Sequence, residues 1–201
     1  MLCGGASRRM GTDKARLRWE GSTLLARAVE ALRPLCDRVL LASGERARYG
    51  DLGLDASEVL DRRASFGPLA GIEAALLAAS GEWLVTTPVD MPGTGAAVFG
   101  ALIDRARSSG ADAVTLRSPR GIEPLVAVYR VSVCAPLAQR LLDEGQRRPV
   151  ALAAALCAVE IDVAEFGEDV QSLLRNVNAP NDLFTPARGR ADDDLTTGGA
   201  A

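Results

Sequence analysis

The stretch that decides the fold is MLCGGASRRMGTDK, residues Met1 to Lys14. Its apolar start predicts the end of a buried strand. Gly4-Gly5 then predict a loop whose backbone N–H groups can approach an anion, because glycine takes backbone angles closed to other residues. Arg8, Arg9 and Lys14 add positive charge suited to a polyphosphate. A surface turn with two glycines is the plainer alternative, but the whole spacing favours phosphate binding.

The remaining sequence alternates predicted strands and helices, joined by short segments rich in glycine or proline. We predict strands at 39–42, 58–61, 83–87, 113–116, 125–129 and 159–163, and helices at 23–33, 69–79, 96–107, 133–144 and 150–156. Ser22 is the predicted cap of the first helix. The alternation is typical of an α/β domain with a mostly parallel sheet and helices on both faces. The short connection before 125–129 predicts that this strand is antiparallel to its neighbour.

The predicted domain covers residues 1–184 and is followed by a tail at 185–201 that is rich in Gly, Ala, Asp and Thr. This composition predicts disorder. The apolar start before Gly4 is shorter than the ~5 or 6 residues of a usual buried strand. We therefore expect the first strand to be truncated and the natural start to lie upstream, because the motif that follows is intact.

Composition narrows the functional classes. With 48% hydrophobic residues the 201-residue chain can fill a core, and its net charge of −3 argues against a general nucleic-acid binder. No run approaches the ~20 apolar residues of a membrane span, and no signal peptide precedes the motif, so we expect a cytoplasmic protein. Histidine is absent, which excludes a Ser-His-Asp triad, a histidine base and His-containing metal sites.

The cysteines are widely separated and form no C-x-x-C pair. They are Cys3, Cys36, Cys134 and Cys157. This spacing indicates neither a zinc site nor a thioredoxin-type centre. We expect buried, reduced thiols.

Candidate functional residues fall at the predicted carboxyl edge of the sheet, where ligands bind in such folds. Asp90 lies between Pro88 and Pro92, which restrict the backbone on both sides, and it is a candidate Mg²⁺ ligand. A turn aspartate that caps the next helix is the alternative. Asp61 is a candidate partner for a ribose hydroxyl or for water on the metal, unless it simply pairs with Arg62 or Arg63.

The segment from Phe66 to Gly71 has two glycines around Pro68. Such a rigid loop can read a base edge through its own N–H and C=O groups, or it is only a tight strand-to-helix joint. Catalysis without histidine is expected to depend on positioning and on charge neutralisation by Mg²⁺, Lys14, Arg9 and backbone amides. An incoming phosphate needs no protein base. These features predict phosphoryl or nucleotidyl transfer.

The opening stretch matches L-x-G-G-x-S-x-R-M-G-x-D-K and resembles the signature loop of nucleotidyltransferases with a Rossmann-like, three-layer α/β/α domain. Further segments resemble, in family order, motifs of the molybdenum cofactor guanylyltransferases. They are GPLAGI at 67–72, TPVDMP at 87–92 and NVNAP at 176–180. The resemblance covers nearly all of residues 2–183, and it implies that GMP is transferred from MgGTP to the terminal phosphate of molybdopterin with release of pyrophosphate.

The resemblance also implies roles for individual residues. The implied GTP contacts are Leu2, Cys3, Gly4, Lys14, Asp61 and Asp90. Asp90 is also the implied magnesium ligand, and Lys14, Arg9 and Asp90 are expected to act on the reacting phosphates. Implied base recognition involves Gly67, Pro68, Leu69 and Gly71, and implied pterin contacts involve Asn176 and Asn178. The expected partners are GTP and molybdopterin, with transient contact to molybdenum-insertion proteins or apo-molybdoenzymes, and neither nucleic acid nor membrane.

Some positions depart from the family pattern. Cys3 replaces the usual alanine, Ala42 stands where many members have a polar nucleotide contact, and Glu123-Pro124 replaces a common His-Pro. The alternatives are a related nucleotidyltransferase that uses CTP or acts on a sugar or other phosphate, and a non-catalytic nucleotide-binding homologue.

Overall fold

The structure is a computed structural model, which describes residues 1–3, 13–19, 21–167 and 173–177. Three of the expected site residues, Gly4, Arg9 and Asn178, lie outside the described residues, and so does the predicted tail.

The described residues form short strands, α-helices and three 3₁₀-helices. The strands are β1 (Arg18–Trp19), β2 (Ser22–Thr23), β3 (Leu40–Ala42), β4 (Ser57–Val59), β5 (Trp83–Thr86), β6 (Ala113–Ser118), β7 (Gly121–Arg130) and β8 (Val159–Asp162). The α-helices are α1 (Leu24–Leu32), α2 (Pro68–Ala78), α3 (Ala96–Ser109), α4 (Val131–Asp143) and α5 (Pro149–Ala155). The 3₁₀-helices are Lys14–Arg16, Gly50–Leu52 and Val163–Phe166.

The start of α1 differs from the prediction. Its cap is Thr23, whose side-chain oxygen accepts a hydrogen bond from the Ala26 N–H at 3.1 Å. The prediction of Ser22 as the cap is wrong because Ser22 pairs with Trp19 in the β1–β2 hairpin, which extends to the last residue before the helix. The helix therefore starts one residue after the strand ends.

Residues 1–3 connect two parts of the sheet. On one side the Ala42 N–H donates to the Met1 carbonyl at 2.8 Å and the Cys3 N–H donates to the Ala42 carbonyl at 3.1 Å. On the other side the Leu2 N–H donates to the Thr87 carbonyl at 2.8 Å. Both bridges are parallel. This short segment therefore occupies the centre of the sheet, between β3 and the chain that follows β5.

Strand direction follows from the pairings. Strands β3 and β4 are parallel, β7 is antiparallel to both β5 and β6, and β6 is parallel to β8. The resulting order is β4, β3, residues 1–3, β5, β7, β6 and β8, and in it only β7 runs in the opposite direction. The predictions of a mostly parallel sheet and of an antiparallel strand near 125–129 are confirmed.

Two apolar clusters lie on opposite faces of this sheet. Alternation along the strands separates them, since Val126 and Val128 belong to one cluster while Ala127 and Tyr129 belong to the other. The first cluster packs against α1 and α3, and the second against α2, α4 and α5. This is the expected three-layer α/β/α architecture. None of the helices in the described residues has the length and apolar character to cross a bilayer.

The cysteines are free thiols, as expected, but they are not all buried. Cys3 and Cys134 are buried, and burial raises the pKa of each thiol to about 12. Cys36 is half-buried and Cys157 is exposed. The prediction of burial is wrong for Cys157, which follows the end of α5 in a left-handed conformation with φ of 48°.

Candidate functional site

Leu2 and Cys3 lie at the carboxyl edge of the sheet, but their backbone groups already have protein partners. The Leu2 N–H donates to Thr87, and the Leu2 carbonyl accepts from the Val89 N–H at 3.1 Å. The Cys3 N–H donates to Ala42, and the Cys3 carbonyl accepts from the Tyr49 hydroxyl at 3.1 Å. The N–H groups of both residues are therefore already used within the protein, and only their carbonyl oxygens and side chains are left for a nucleotide.

Lys14 and Asp90 meet at the same edge. The Lys14 ammonium nitrogen lies 3.2 Å from Asp90 Oδ2, and about a quarter of each side chain is exposed. The two residues are 76 positions apart in the chain. The structure thus brings together the cation that ends the opening motif and the carboxylate that follows β5, in a position open to a ligand.

The backbone around Asp90 is held on both sides. Val89, the preceding residue, donates to Leu2, and the Asp90 carbonyl accepts from the Val177 N–H at 2.8 Å. Thr94 closes the following turn through a 2.7 Å hydrogen bond from its hydroxyl to the Met91 carbonyl. The contact with Val177 also brings the exposed Asn176 next to Asp90 in the fold.

Asp61 lies two residues beyond β4 and has an unusual environment. Its Oδ1 is buried and has no hydrogen-bond partner within the part of the chain that the structure describes. Burial raises the pKa of this carboxyl above its ordinary value, and Glu45 and Glu73 raise it further. The alternative that Asp61 pairs with Arg63 is wrong, because Arg63 pairs instead with Glu73 and Asp143. Within the described residues, Asp61 is therefore an acceptor with one oxygen unused.

Gly71 places α2 against this carboxyl. A Cβ atom at position 71 would lie 3.1 Å from Leu2 Cδ2, 3.5 Å from Ala42 Cβ and 3.7 Å from Asp61 Oδ1. Glycine therefore allows the helix, the first strand and Asp61 to approach one another closely. Since the backbone of Leu2 also pairs with residues 87 and 89, Leu2 joins the Asp61 group to the Lys14–Asp90 pair.

The loop before α2 has fewer free amides than the sequence suggests. Gly67 has φ of +80°, and a Cβ there would lie 3.1 Å from the Arg147 carbonyl oxygen. That carbonyl accepts from the Leu69 N–H at 3.3 Å, and the Ala70 N–H donates to the Gly67 carbonyl at 3.1 Å. The Arg147 guanidinium also stacks over the Phe66 ring at 4.6 Å. The loop is thus fixed by Arg147, a residue that the sequence analysis missed because no local pattern links 147 to 67.

The described residues fit a magnesium site built mainly from substrate oxygens. Among them, no group of three or more Asp, Glu or Cys side chains is arranged to hold a metal. Asp90 supplies one carboxylate, and no hydrogen bond to its Oδ1 is found within the described residues. Mg²⁺ commonly takes only one or two carboxylates and fills its other positions with phosphate and water. A single rigid aspartate at this edge satisfies that requirement.

A cavity of about 560 Å³ lies elsewhere. It is lined by residues that precede β3 and begin β5, among them Cys36, Arg38 and Trp83. These are the amino ends of the strands, so the cavity is on the edge opposite Lys14 and Asp90. It does not contribute to the candidate site.

Comparison with known proteins gives consistent matches. The family model described as MobA-like NTP transferase domain matches residues 1–159. A probable molybdenum cofactor guanylyltransferase from Opitutus terrae is 38% identical over 196 residues, covering 95% of each chain. One of the same description from Deinococcus radiodurans is 35% identical over 97% of this chain and 95% of its own.

Solved structures with the same fold are also similar. Molybdopterin-guanine dinucleotide biosynthesis protein A from Archaeoglobus fulgidus has a TM-score of 0.74 and 25% identity, over 90% of this chain and 92% of its own. The 2-C-methyl-D-erythritol 4-phosphate cytidylyltransferase from Thermus thermophilus has a TM-score of 0.65 with 18% identity, over 90% and 93% of the two chains. The second match, at this identity, supports the fold alone.

Proposed function

The chain belongs to the MobA-like NTP transferase family, and from that membership we propose that it transfers GMP from MgGTP to the terminal phosphate of molybdopterin. The relatives that cover nearly the whole chain carry the name molybdenum cofactor guanylyltransferase, which supports this acceptor and this nucleotide. The observation that carries the proposal is the Lys14–Asp90 pair at the carboxyl edge, next to the central segment 1–3.

The reaction needs no protein base. An oxygen of the acceptor phosphate forms a bond to the α-phosphorus of GTP, and the bond from that phosphorus to the oxygen shared with the β-phosphorus breaks. Pyrophosphate leaves with the electron pair of the broken bond. The acceptor oxygen is already an anion, so the protein has to position two negatively charged reactants and offset their charge. A chain without histidine is suited to that task.

Each described site residue has a role in this proposal. About a quarter of the Lys14 side chain is exposed beside Asp90, so its ammonium group can approach the triphosphate. Asp90 would hold Mg²⁺ together with phosphate oxygens and water, and Arg9 is proposed to assist Lys14. When bound, Mg²⁺ would neutralise charge on the phosphate oxygens.

The nucleoside and the acceptor lie on either side of this pair in the proposal. Asp61 Oδ1, buried without a partner in the described chain, is an acceptor for a donor group of the nucleoside. The segment 67–71, with Gly67, Pro68, Leu69 and Gly71, would enclose the base, while Leu2, Cys3 and Gly4 line the nucleotide. Asn176 and Asn178 would contact the pterin beside Asp90. Delivery in the cytoplasm to a molybdenum-insertion protein or an apo-molybdoenzyme completes the proposal.

Pyrophosphate release tests it directly. Purified protein is incubated with Mg²⁺, molybdopterin-loaded acceptor and GTP, CTP, ATP or UTP in turn, with acceptor-free reactions as blanks. We expect release with GTP that depends on the acceptor. Turnover of CTP equal to that of GTP, or release that does not need the acceptor, would contradict the proposal.

A matched pair of variants tests the site. Lys14→Met should slow release about a hundredfold, because the charge that offsets the triphosphate is lost. Arg18→Gln removes a cation of the neighbouring β1 strand whose guanidinium, within the described part of the chain, donates only to the exposed Gly21 carbonyl. Its rate should stay within about twofold of wild type. Equal rates for Lys14→Met and wild type would refute the role of Lys14.

A further inference from the structure

One side chain contacts both ends of the stretch from 4 to 12. Cys3 precedes this stretch and Asp13 follows it, and the Tyr49 hydroxyl oxygen lies 3.1 Å from the Cys3 carbonyl oxygen and 3.3 Å from Asp13 Oδ1. Tyr49 is only 2% exposed. Its hydroxyl therefore sets the separation between the two ends of the opening motif.

Arg48 supplies the donors that the hydroxyl lacks. Both partners of Tyr49 are acceptors, and a hydroxyl has a single hydrogen to offer them. Arg48 Nη2 donates to the Cys3 carbonyl at 3.3 Å, and its Nη1 lies 3.9 Å from Asp13 Oδ2. The two side chains together satisfy a carbonyl and a carboxylate that would otherwise be paired poorly in a largely buried position.

Glu58 fixes the backbone that carries Arg48 and Tyr49. Its carboxylate, on β4, accepts from the Arg48 N–H at 2.7 Å and from the Tyr49 N–H at 2.8 Å. Burial opposes ionisation of Glu58, but these two hydrogen bonds, together with the Ser43 side chain and the charge of Arg48, outweigh it, and the pKa of Glu58 is lowered. An ionised, doubly bonded carboxylate holds the tyrosine in one place relative to the sheet.

The contacts continue to the proposed catalytic pair. Asp13 Oδ1 also accepts from the Ala15 N–H at 3.1 Å and thereby caps the 3₁₀-helix that begins at Lys14. The Lys14 ammonium then reaches Asp90. A series of direct contacts thus links Tyr49 to Asp13, Asp13 to the start of the 3₁₀-helix, and Lys14 to Asp90.

We propose that Tyr49 is a positioning residue for triphosphate binding, whose hydroxyl fixes the two ends of the opening motif and the orientation of the Asp13 cap that presents Lys14. The side chains of the site are then already in place before the nucleotide binds, so binding costs less conformational entropy. This inference rests on the proposed function only in that a nucleoside triphosphate binds at the carboxyl edge.

Tyr49→Phe isolates the hydroxyl, because the buried ring keeps its volume. Tyr129→Phe is the matched control: Tyr129 is also buried, and its hydroxyl donates to the Pro124 carbonyl at 2.7 Å, away from the opening motif. Both variants lose a hydrogen bond from a buried tyrosine to a backbone carbonyl. A purely structural role predicts similar behaviour for the two.

Equilibrium binding of MgGTP and of GMP is measured for wild type and both variants, with melting temperature as a check of folding. We expect Tyr49→Phe to weaken MgGTP binding about five- to tenfold and GMP binding by less than about twofold. Tyr129→Phe should leave both affinities within about twofold. Equal losses for the triphosphate and the monophosphate, or for the two variants, would overturn the proposal.

A double-mutant cycle tests whether Tyr49 acts through Lys14. In a Lys14→Met background, Tyr49→Phe should have less than about a twofold further effect on MgGTP binding, whereas a full additional loss would overturn this route. If Tyr49→Phe does not fold, Asp13→Asn tests the same contact from the other side, and unchanged MgGTP binding would again overturn the proposal.

Failure of the proposed function has a different signature. If wild type binds CTP in place of GTP, the guanylyl assignment fails. The proposed role of Tyr49 is then tested by the same comparison of Tyr49→Phe with Tyr129→Phe, with CTP as the ligand. If wild type binds none of the four triphosphates, both proposals fall.

Discussion

The two halves of the sheet are held together in different ways. Residues 1–3, β3 and β4 are here called the parallel half. In it β3 and β4 pair over only three residues, and residues 1–3 join their neighbours through single bridges at Leu2. The ladder half, β5 to β8, contains the ten-residue β7 paired along both of its edges. Apolar side chains pack both halves, but the carboxyl edge of the parallel half is held in addition by hydrogen bonds of Glu58, Arg48 and Tyr49.

The difference separates function from stability. The described candidate residues lie in or near the parallel half. Some belong to it or to the loop and helix that follow β4, and the others lie beside it, around Asp90. Short parallel strands end in loops that carry charges to one edge, and those loops need side-chain hydrogen bonds because the ladders are too short to hold them. Polar substitutions should therefore affect activity in the parallel half, and apolar substitutions should affect stability in the ladder half.

Asp90→Asn is expected to have the largest effect. It keeps the size of the side chain but removes the charge that pairs with Lys14 and is proposed to hold Mg²⁺, so pyrophosphate release should fall about a thousandfold. The melting temperature should change little, since the pair is partly exposed.

Asp104→Asn, an exposed carboxylate on α3, is the control and should keep wild-type turnover. A large drop in melting temperature for Asp90→Asn would break the separation between the two halves.

Leu116→Ala, in the ladder half, should act on stability instead. Leu116 is fully buried in β6, and its truncation should lower the free energy of unfolding by about 3 kcal/mol through lost burial and a residual cavity. Urea unfolding measures this change, and KM for GTP of the folded protein should match wild type. Leu77→Ala, at a side chain that is 40% exposed, should cost less than about 1 kcal/mol.

Asp61→Asn should affect the site less than Asp90→Asn does, and its effect on stability should depend on pH. GTP affinity should fall about tenfold, because a charged acceptor is lost. Because the pKa of Asp61 is raised in the folded protein, protonation of its carboxyl stabilises the folded state. This contribution to the free energy of unfolding is fully present below the ordinary pKa of 3.8 and is lost as the pH rises through the pKa in the folded protein.

The asparagine variant does not titrate, so it should melt higher than wild type at pH 7, and the difference should shrink as the pH falls towards 3.8. A lower melting temperature for Asp61→Asn at neutral pH would show that the carboxylate has a stabilising partner.

Much of the fold was predictable because hydrophobic periodicity is local. The order of strands and helices, the antiparallel strand near 125–129 and the position of Asp61 and Asp90 at one edge follow from patterns only a few residues long. Ser22 was assigned the wrong role because a two-residue hairpin leaves no such pattern. The burial of Cys157 was also predicted wrongly, since its exposure depends on how α5 ends.

The site was predictable as a set of residues and not as a set of contacts. Motifs selected Lys14 and Asp90, and the structure adds the 3.2 Å pair between them. No motif indicated that Arg147 would occupy the Leu69 N–H, or that Arg63 would prefer Glu73 and Asp143 to Asp61. Side-chain competition of this kind depends on distances that sequence spacing does not encode.

The sequence by itself determined the layered α/β architecture, the family, and the edge of the sheet at which the candidate residues lie. Each of these follows from short-range periodicity and contiguous motifs. Only the tertiary structure decided that Leu2 lies between β3 and the chain after β5, that Tyr49 joins Cys3 to Asp13, and that Asp61 has an acceptor to spare within the described residues. The physical reason is that the contacts of Leu2 and Tyr49 join residues 36 or more positions apart in the chain. Such contacts form only when the layers pack together.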